Sequence, residues 1–160
     1  MKTPQNYKEL IAAFGDLTLF INSDGKPSKI WDQQMTQVNF PTPLPASWND
    51  KVLISRCTVH KLIAPVVEHV FAEIHKSGYW NELKDFGGGY FVRKKRGSNN
   101  WSLHSWGIAL DFNVNDNLMG QVPTMHEKIV EIFEKHGFCW GGRWQGKNVD
   151  GMHWQFADGV

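Results

Sequence analysis

Two short segments with strand-like alternation constrain this chain more than any other feature. In residues 108–113 the large apolar side chains share one parity, and Asp111 lies on the other. In residues 152–156 the large apolar side chains again share one parity, and His153 lies on the other. Period-two alternation is typical of a strand with one buried face. The sequence therefore predicts two strands, each with an apolar back and a possible metal ligand on its front.

A third residue able to bind a metal, His104, precedes the first of these strands. Gly107 lies between them and permits a tight bend that would bring the imidazole back over Asp111. Catalytic zinc sites typically take three protein ligands from His, Asp or Glu and leave one position for water. We therefore predict one zinc ion per chain, bound by His104, Asp111 and His153.

Asp150, three residues before His153, is the candidate general base. A zinc hydrolase needs a group that takes a proton from water, and a carboxylate can do so. The alternative is structural, because Asp-Gly is a common turn pair and Asp150 precedes Gly151. The other five histidines lie in or beside predicted helices, and we do not expect them to bind the metal.

Together these segments resemble a known family of zinc peptidases. The pattern Ser-x-His-x-x-Gly-x-Ala-x-Asp at residues 102–111, followed by Asp-x-x-His-aromatic at 150–154, resembles the family that includes VanY-type D-alanyl-D-alanine carboxypeptidases and the L-alanyl-D-glutamate endopeptidases of phage endolysins. The similarity extends upstream through the run from Gly87 to Arg93 and downstream through the run from Trp140 to Trp144. The resemblance implies an α+β fold of the hedgehog/DD-peptidase type, in which a small antiparallel sheet flanked by helices carries the zinc.

The resemblance also implies an arginine shortly before the Ser-x-His pattern. Arg93 is the candidate cation for the oxyanion that develops during hydrolysis, and Arg96 is the alternative register and a candidate substrate contact. Lys94 and Lys95 between them are interpreted as a solvated basic loop. Ser102 is expected to make a hydrogen bond to substrate or to a ligand rather than to act as a nucleophile.

Eight tryptophans are many for 160 residues. Several are expected in the core, but exposed ones suit a peptide or carbohydrate cleft. Trp106 and Trp154, beside the predicted ligands, are the candidates for substrate contact. The run Trp140-Gly-Gly-Arg-Trp144 is interpreted either as a cleft wall or as a plain turn.

The resemblance implies that the substrate is a peptidoglycan stem peptide. The leading hypothesis is an endolysin-type L-alanyl-D-glutamate endopeptidase, which needs an open groove. The first alternative is a D-alanyl-D-alanine carboxypeptidase, which needs a closed pocket with a positive group. The second is a non-catalytic binding module that holds zinc, as hedgehog signalling domains are thought to do; the presence of Asp150 argues against it.

Length and composition narrow the possible classes of protein. A length of 160 residues with 41% hydrophobic residues predicts a single domain over 1–160, and a net charge of +1 argues against a nucleic-acid binder. The sequence predicts neither a signal peptide nor a membrane span, and we expect a monomer. The expected route is synthesis in the cytoplasm and access to the cell wall in the periplasm after holin-type release, as for a phage or prophage protein. Cys57 and Cys139 are expected to be reduced core residues.

Outside the site, three segments carry structural predictions. Residues 22–50 hold four of the seven prolines and predict an irregular strap on the surface. Residues 58–77 predict a helix that Pro65 either restarts or kinks. Residues 124–127 form a capping box for a further helix, with Gly137 as its stop.

Overall fold

A six-stranded mixed sheet organises the chain, which a computed structural model describes over residues 1–160. The helices are α1 (Tyr7–Phe14), α2 (Lys29–Asp32), α3 (Ala64–Lys76) and α4 (Glu127–Lys135). The strands are β1 (Met35–Ala46), β2 (Asn49–His60), β3 (Phe86–Gly88), β4 (Ala109–Phe112), β5 (Cys139–Trp140) and β6 (His153–Gln155). Their order in the sheet is β2-β1-β3-β4-β6-β5. The α+β class is as predicted, but the sheet is larger than expected and is not purely antiparallel, because β1 and β3 pair in parallel through Ala46 and Phe86.

The two strands predicted from alternation are β4 and β6. They are antiparallel neighbours in the sheet, and their register places Asp111 opposite His153 and Leu110 opposite Trp154. Leu110 and Trp154 are fully buried, as their parity predicts. A cross-strand pair brings two side chains on one face within contact distance, so this register alone joins two of the three expected metal ligands.

The irregular strap predicted for residues 22–50 is wrong over its second half. Residues 35–60 form a long antiparallel hairpin, β1 and β2. The register shifts between Asn39 and Leu44, and Pro41 and Pro43 fall within that shift. Proline cannot donate to a sheet ladder, but its φ suits an extended chain, so it is tolerated where the ladder is interrupted. The prolines therefore interrupt a strand rather than replace it.

The helix predictions need two corrections at their starts. Residues 58–60 complete β2, and α3 begins only at Ala64, with Pro65 in its first turn. For α4 the N-cap is His126, whose Nδ1 accepts a hydrogen bond from the Lys128 amide at 3.1 Å, so the capping box at Thr124 does not form. The stop is as predicted, because Gly137 follows the helix with a φ of 89°.

The core lies directly behind the β4–β6 pair. The Phe133 ring of α4 stacks on Trp154 with centroids 4.2 Å apart, and Trp140 stacks on the same indole at 5.7 Å. Burial of each such side chain contributes roughly 1.5–3 kcal/mol, so the back of the candidate site is firmly packed. Both cysteines are free, and Cys57 is buried as predicted while Cys139 is half-buried. Burial raises the pKa of the Cys57 thiol to about 12.

Candidate metal centre

The three predicted ligands converge at one point on the sheet. Asp111 and His153 face each other across β4 and β6, and His104 lies on the 3₁₀ turn Leu103–Trp106 just before β4. Gly107 ends that turn with a φ of 65°, and a Cβ at this position would lie 2.8 Å from the His60 amide nitrogen. The bend therefore requires glycine. One ligand atom from each of His104, Asp111 and His153 lies within 4.8 Å of the others.

His104 presents a lone pair to this point. Its Nδ1 is 2.7 Å from the Gly89 carbonyl, which can only accept a hydrogen bond, so Nδ1 carries the proton. Its Nε2 is buried and has no hydrogen-bond donor, although it lies 3.3 Å from Asp111 Oδ2. A backbone carbonyl behind one ring nitrogen is the usual arrangement for a histidine that binds metal through the other.

His153 is oriented in the same way by a different partner. The Gln155 amide nitrogen donates to the Ala157 carbonyl at 2.9 Å, which turns its Oε1 towards His153 Nε2 at 3.1 Å. Nε2 is therefore the protonated nitrogen, and Nδ1 faces Asp111 Oδ1 at 3.0 Å with a free lone pair. Two acceptors at that distance need a proton or a cation between them, so the donor set fits a bound metal ion.

Electrostatics agree with a cation at this point. Burial alone would raise the pKa of Asp111, but the adjacent imidazoles of His104 and His153 hold it well below its usual range. Burial would likewise lower the pKa of His153, but the Asp111 carboxylate raises it above its ordinary value. The carboxylate therefore stays ionised and favours positive charge beside it. Two imidazoles and one carboxylate with an open side are the ligands of a catalytic rather than a structural zinc site.

Asp150 lies in the same cleft with one oxygen free. Its Oδ1 is buried and has no hydrogen-bond partner, and its side chain does not cap the turn at Gly151. Burial raises the pKa of this carboxyl group. Gly141 lets the Asp150 backbone approach closely, because a Cβ at residue 141 would lie 2.5 Å from the Asp150 carbonyl oxygen. Asp150 does open this turn through its backbone, since its carbonyl accepts a hydrogen bond from the His153 amide at 3.2 Å, but its side chain takes no part in the turn. A carboxyl group with an unpaired oxygen beside the ligands is what a general base requires.

The cleft around the ligands has a volume of about 410 Å³. The predicted residues Arg93, Arg96 and Ser102 all line it, together with Asp150 and the ligands. Arg93 is fixed through its backbone, since its amide donates to Ser105 Oγ at 3.0 Å and its carbonyl accepts from the Ser102 amide at 3.0 Å. A larger depression of about 530 Å³ at the tip of the β1–β2 hairpin contains neither histidine nor cysteine, so the metal chemistry belongs to the cleft.

Two predicted substrate contacts are wrong. Trp106 and Trp154 are fully buried, and Trp106 donates its indole N–H to the Gly15 carbonyl at 2.9 Å. Trp154 shares the parity of the apolar back of β6, so it packs beneath the site and cannot touch a substrate. Trp144 lines the cleft instead, with its ring centroid 5.6 Å from that of His153. Of the two interpretations of residues 140–144, the cleft wall holds for Trp144.

Two residues that orient the ligands were missed by the sequence analysis. Gly89 supplies the carbonyl behind His104, and a Cβ there would lie 2.7 Å from the Thr58 carbonyl oxygen. The sequence feature that could have identified Gly89 was the run of three glycines at residues 87–89. Gln155 orients His153. The sequence indicated this contact only in that residues 153 and 155 have the same parity on β6.

Comparison with known proteins bears on the same segment. Residues 96–156 match the family model of D-alanyl-D-alanine carboxypeptidase. The matched range includes His104, Asp111, Asp150 and His153 and begins three residues after Arg93. No curated protein matches the chain. The match supports a hydrolase that acts as a peptidase, and the three ligands and Asp150 lie within the matched range. No helix of the chain is both long enough and apolar enough to cross a membrane.

Proposed function

We propose that this chain is a zinc-dependent peptidase that acts on peptidoglycan and cuts stem peptides between L-alanine and D-glutamate. One observation carries the proposal. The free lone pairs of His104 and His153 and the ionised Asp111 converge on one point, next to the unpartnered Oδ1 of Asp150. An ion-binding module would need the three ligands but would have no use for a buried free carboxylate beside them, since such a group is costly to keep.

Zinc bound at this point would polarise the scissile carbonyl and make a water molecule more acidic. Asp150 would take a proton from the attacking water while the water oxygen bonds to the carbonyl carbon. The same carboxyl would then pass that proton to the amide nitrogen as the C–N bond breaks. Arg93, which also lines the cleft, would face the oxygen on which negative charge develops. Ser102 would donate a hydrogen bond to the bound peptide.

The choice of bond rests on the resemblance of residues 90–111 to phage lysins. By this proposal the chain is a phage or prophage endolysin that acts on the cell wall after release from the cytoplasm. The D-alanyl-D-alanine carboxypeptidase is the second candidate, and the description of the matching family favours it. Both candidates use the same ligands and the same base.

Mass spectrometry of peptidoglycan digests tests the proposal. Purified protein loaded with zinc is incubated with intact sacculi, and matched samples contain a chelator or a chelator followed by excess zinc. We expect new D-glutamate amino termini and falling turbidity, both lost with chelator and restored by zinc. Release of free D-alanine without a fall in turbidity would favour the carboxypeptidase. The absence of any cleaved stem peptide in the zinc-loaded sample would contradict both.

A further inference from the structure

In the loop between Arg93 and Trp101, here called the basic loop, residues 93–95 alternate between two sides, and a turn begins at Arg96. Lys94 pairs with Trp101 in an isolated antiparallel bridge, and its Nζ lies 3.5 Å from the centre of the indole ring. Successive side chains of an extended segment point to opposite sides. Arg93 and Lys95 therefore point away from Trp101, and both line the cleft, whereas Lys94 does not. The two lysines, alike in sequence, have different environments.

Lys95 is a half-buried cation without a partner. Five cations of the chain pair with carboxylates, such as Lys84 with Asp116 at 2.7 Å and Arg143 with Glu134 at 2.8 Å. The remaining unpaired lysines and arginines are exposed to water, whereas Lys95 is half-buried. Lys95 has no carboxylate within 4.0 Å. Burial lowers the pKa of its ammonium group, because water around the charge has been lost without replacement. A half-buried ammonium group that lacks a counter-ion is a ready partner for an anion.

The distribution of charge in the cleft also favours an anionic ligand. The wall formed by the basic loop presents three cations, Arg93, Lys95 and Arg96, and none of them is paired. Of the two carboxylates of the cleft, Asp111 faces the two histidines, and Asp150 makes no ion pair within 4.0 Å with any of the three cations, although the burial that raises its pKa is partly offset by the charge of Arg93. The chain as a whole carries a net charge of only +1. Three unpaired cations on one side of a cleft favour an anionic ligand there.

We propose that Lys95 binds a free carboxylate of the substrate close to the scissile bond, so that the basic loop selects substrates by their negative charge. This inference rests on the proposed peptidase function and names the group that the cleft recognises. Two sources of such a carboxylate exist in a stem peptide. D-glutamate linked through its side chain keeps a free α-carboxylate beside the L-alanyl bond, and a peptide ending in D-alanine carries a terminal one.

Paired substrates test the inference on the zinc-loaded enzyme. Each pair consists of a stem peptide with the free carboxylate and the same peptide with that carboxylate amidated, one pair for D-glutamate and one for the terminal D-alanine. We expect wild type to show a lower KM for the free acid in one pair, which identifies the source. Lys95→Met should raise KM for the acid about 10-fold with kcat unchanged, the loss expected for one charged hydrogen bond.

Two variants serve as matched controls. Lys94→Met removes the same charge from the same loop but faces Trp101, and we expect it to retain the preference for the acid. Lys95→Arg keeps the charge, and we expect it to retain most of the preference. Equal KM values for acid and amide in wild type, or an equal loss in the Lys94 and Lys95 variants, would overturn the carboxylate site while leaving the peptidase intact. Cleavage of neither member of either pair would overturn the peptidase function as well.

Discussion

Two parts of the same sheet differ in length, burial and use. The β1–β2 hairpin has two strands of 12 residues, half of them exposed, and provides no metal ligand. The neighbouring strands β4 and β6 have four and three residues, are almost wholly buried, and carry Asp111 and His153. The ligands on the sheet thus lie on short strands that are well packed.

The difference shows what holds a ligand in place. Each imidazole has a hydrogen bond behind it, from His104 to the Gly89 carbonyl and from His153 to Gln155. Behind both ligand strands lie the stacked rings of Phe133, Trp140 and Trp154. On the hairpin, by contrast, Leu53 is 64% exposed and has nothing to fix it. Packing and supporting hydrogen bonds position a ligand more firmly than strand length does.

The largest difference between the two regions should appear on removal of a ligand. His153→Ala leaves two ligands, which make a poor tetrahedral site, so we expect loss of stoichiometric zinc and of all peptidase activity. Leu53→Ala on the hairpin is the matched control and should keep both. Elemental analysis of the purified variants measures the metal. A full zinc content in His153→Ala would remove this residue from the ligand set.

A second change separates metal binding from catalysis within the packed region. Asp150→Asn keeps the shape of the side chain but cannot take a proton, so we expect turnover to fall by about 10²- to 10⁴-fold with zinc content and unfolding temperature unchanged. Turnover is measured on the substrate identified by mass spectrometry. Near-normal cleavage by this variant would show that Asp150 is not the base.

The packed region was also the part that the sequence predicted best. The alternation of apolar and polar residues predicted which face of β4 and of β6 is buried. The bend at Gly107 was predicted from its place between His104 and Asp111. Trp154 could have been placed in the core from its parity alone. The hairpin was not predicted because Pro41 and Pro43 interrupt β1, and because most of β2 is exposed and shows no alternation. The parallel contact of β1 with β3 depends on a single residue pair and leaves no local pattern.

A smaller effect is expected at the cleft wall. Arg93→Ala should lower kcat with little change in KM if the guanidinium contacts the oxyanion only in the transition state, by at most the roughly 10²- to 10³-fold seen for a lost oxyanion donor. Arg96→Ala, three residues away on the same loop, should raise KM instead. If only the Arg96 variant loses kcat, the register of the loop is shifted and Arg93 is not the oxyanion contact.

The smallest effect concerns stability at the end of the hairpin. His60, the last residue of β2, is buried, and its Nδ1 accepts a hydrogen bond from the Leu62 amide at 3.2 Å. Burial, helped by the nearby charge of Lys61, lowers its pKa from 6.5 to about 4. Between these values the unfolded chain binds a proton that the folded chain does not. The stability that depends on neutral His60 is therefore present above about pH 6.5 and is lost as the pH drops towards 4. At pH 5 the loss in the free energy of unfolding due to His60 is about 2 kcal/mol.

Denaturant unfolding of wild type and His60→Gln at pH 7 and pH 5 measures this contribution. Both proteins are studied with chelator present, so that bound metal does not contribute to the stability of either one. Glutamine keeps an acceptor for the Leu62 amide but has no proton to gain in this range. Wild type should therefore lose more stability between pH 7 and pH 5 than the variant, because only wild type must hold His60 neutral. An equal loss in both would mean that His60 is protonated without cost in the folded chain, and that the end of the hairpin is less firmly packed than its burial indicates.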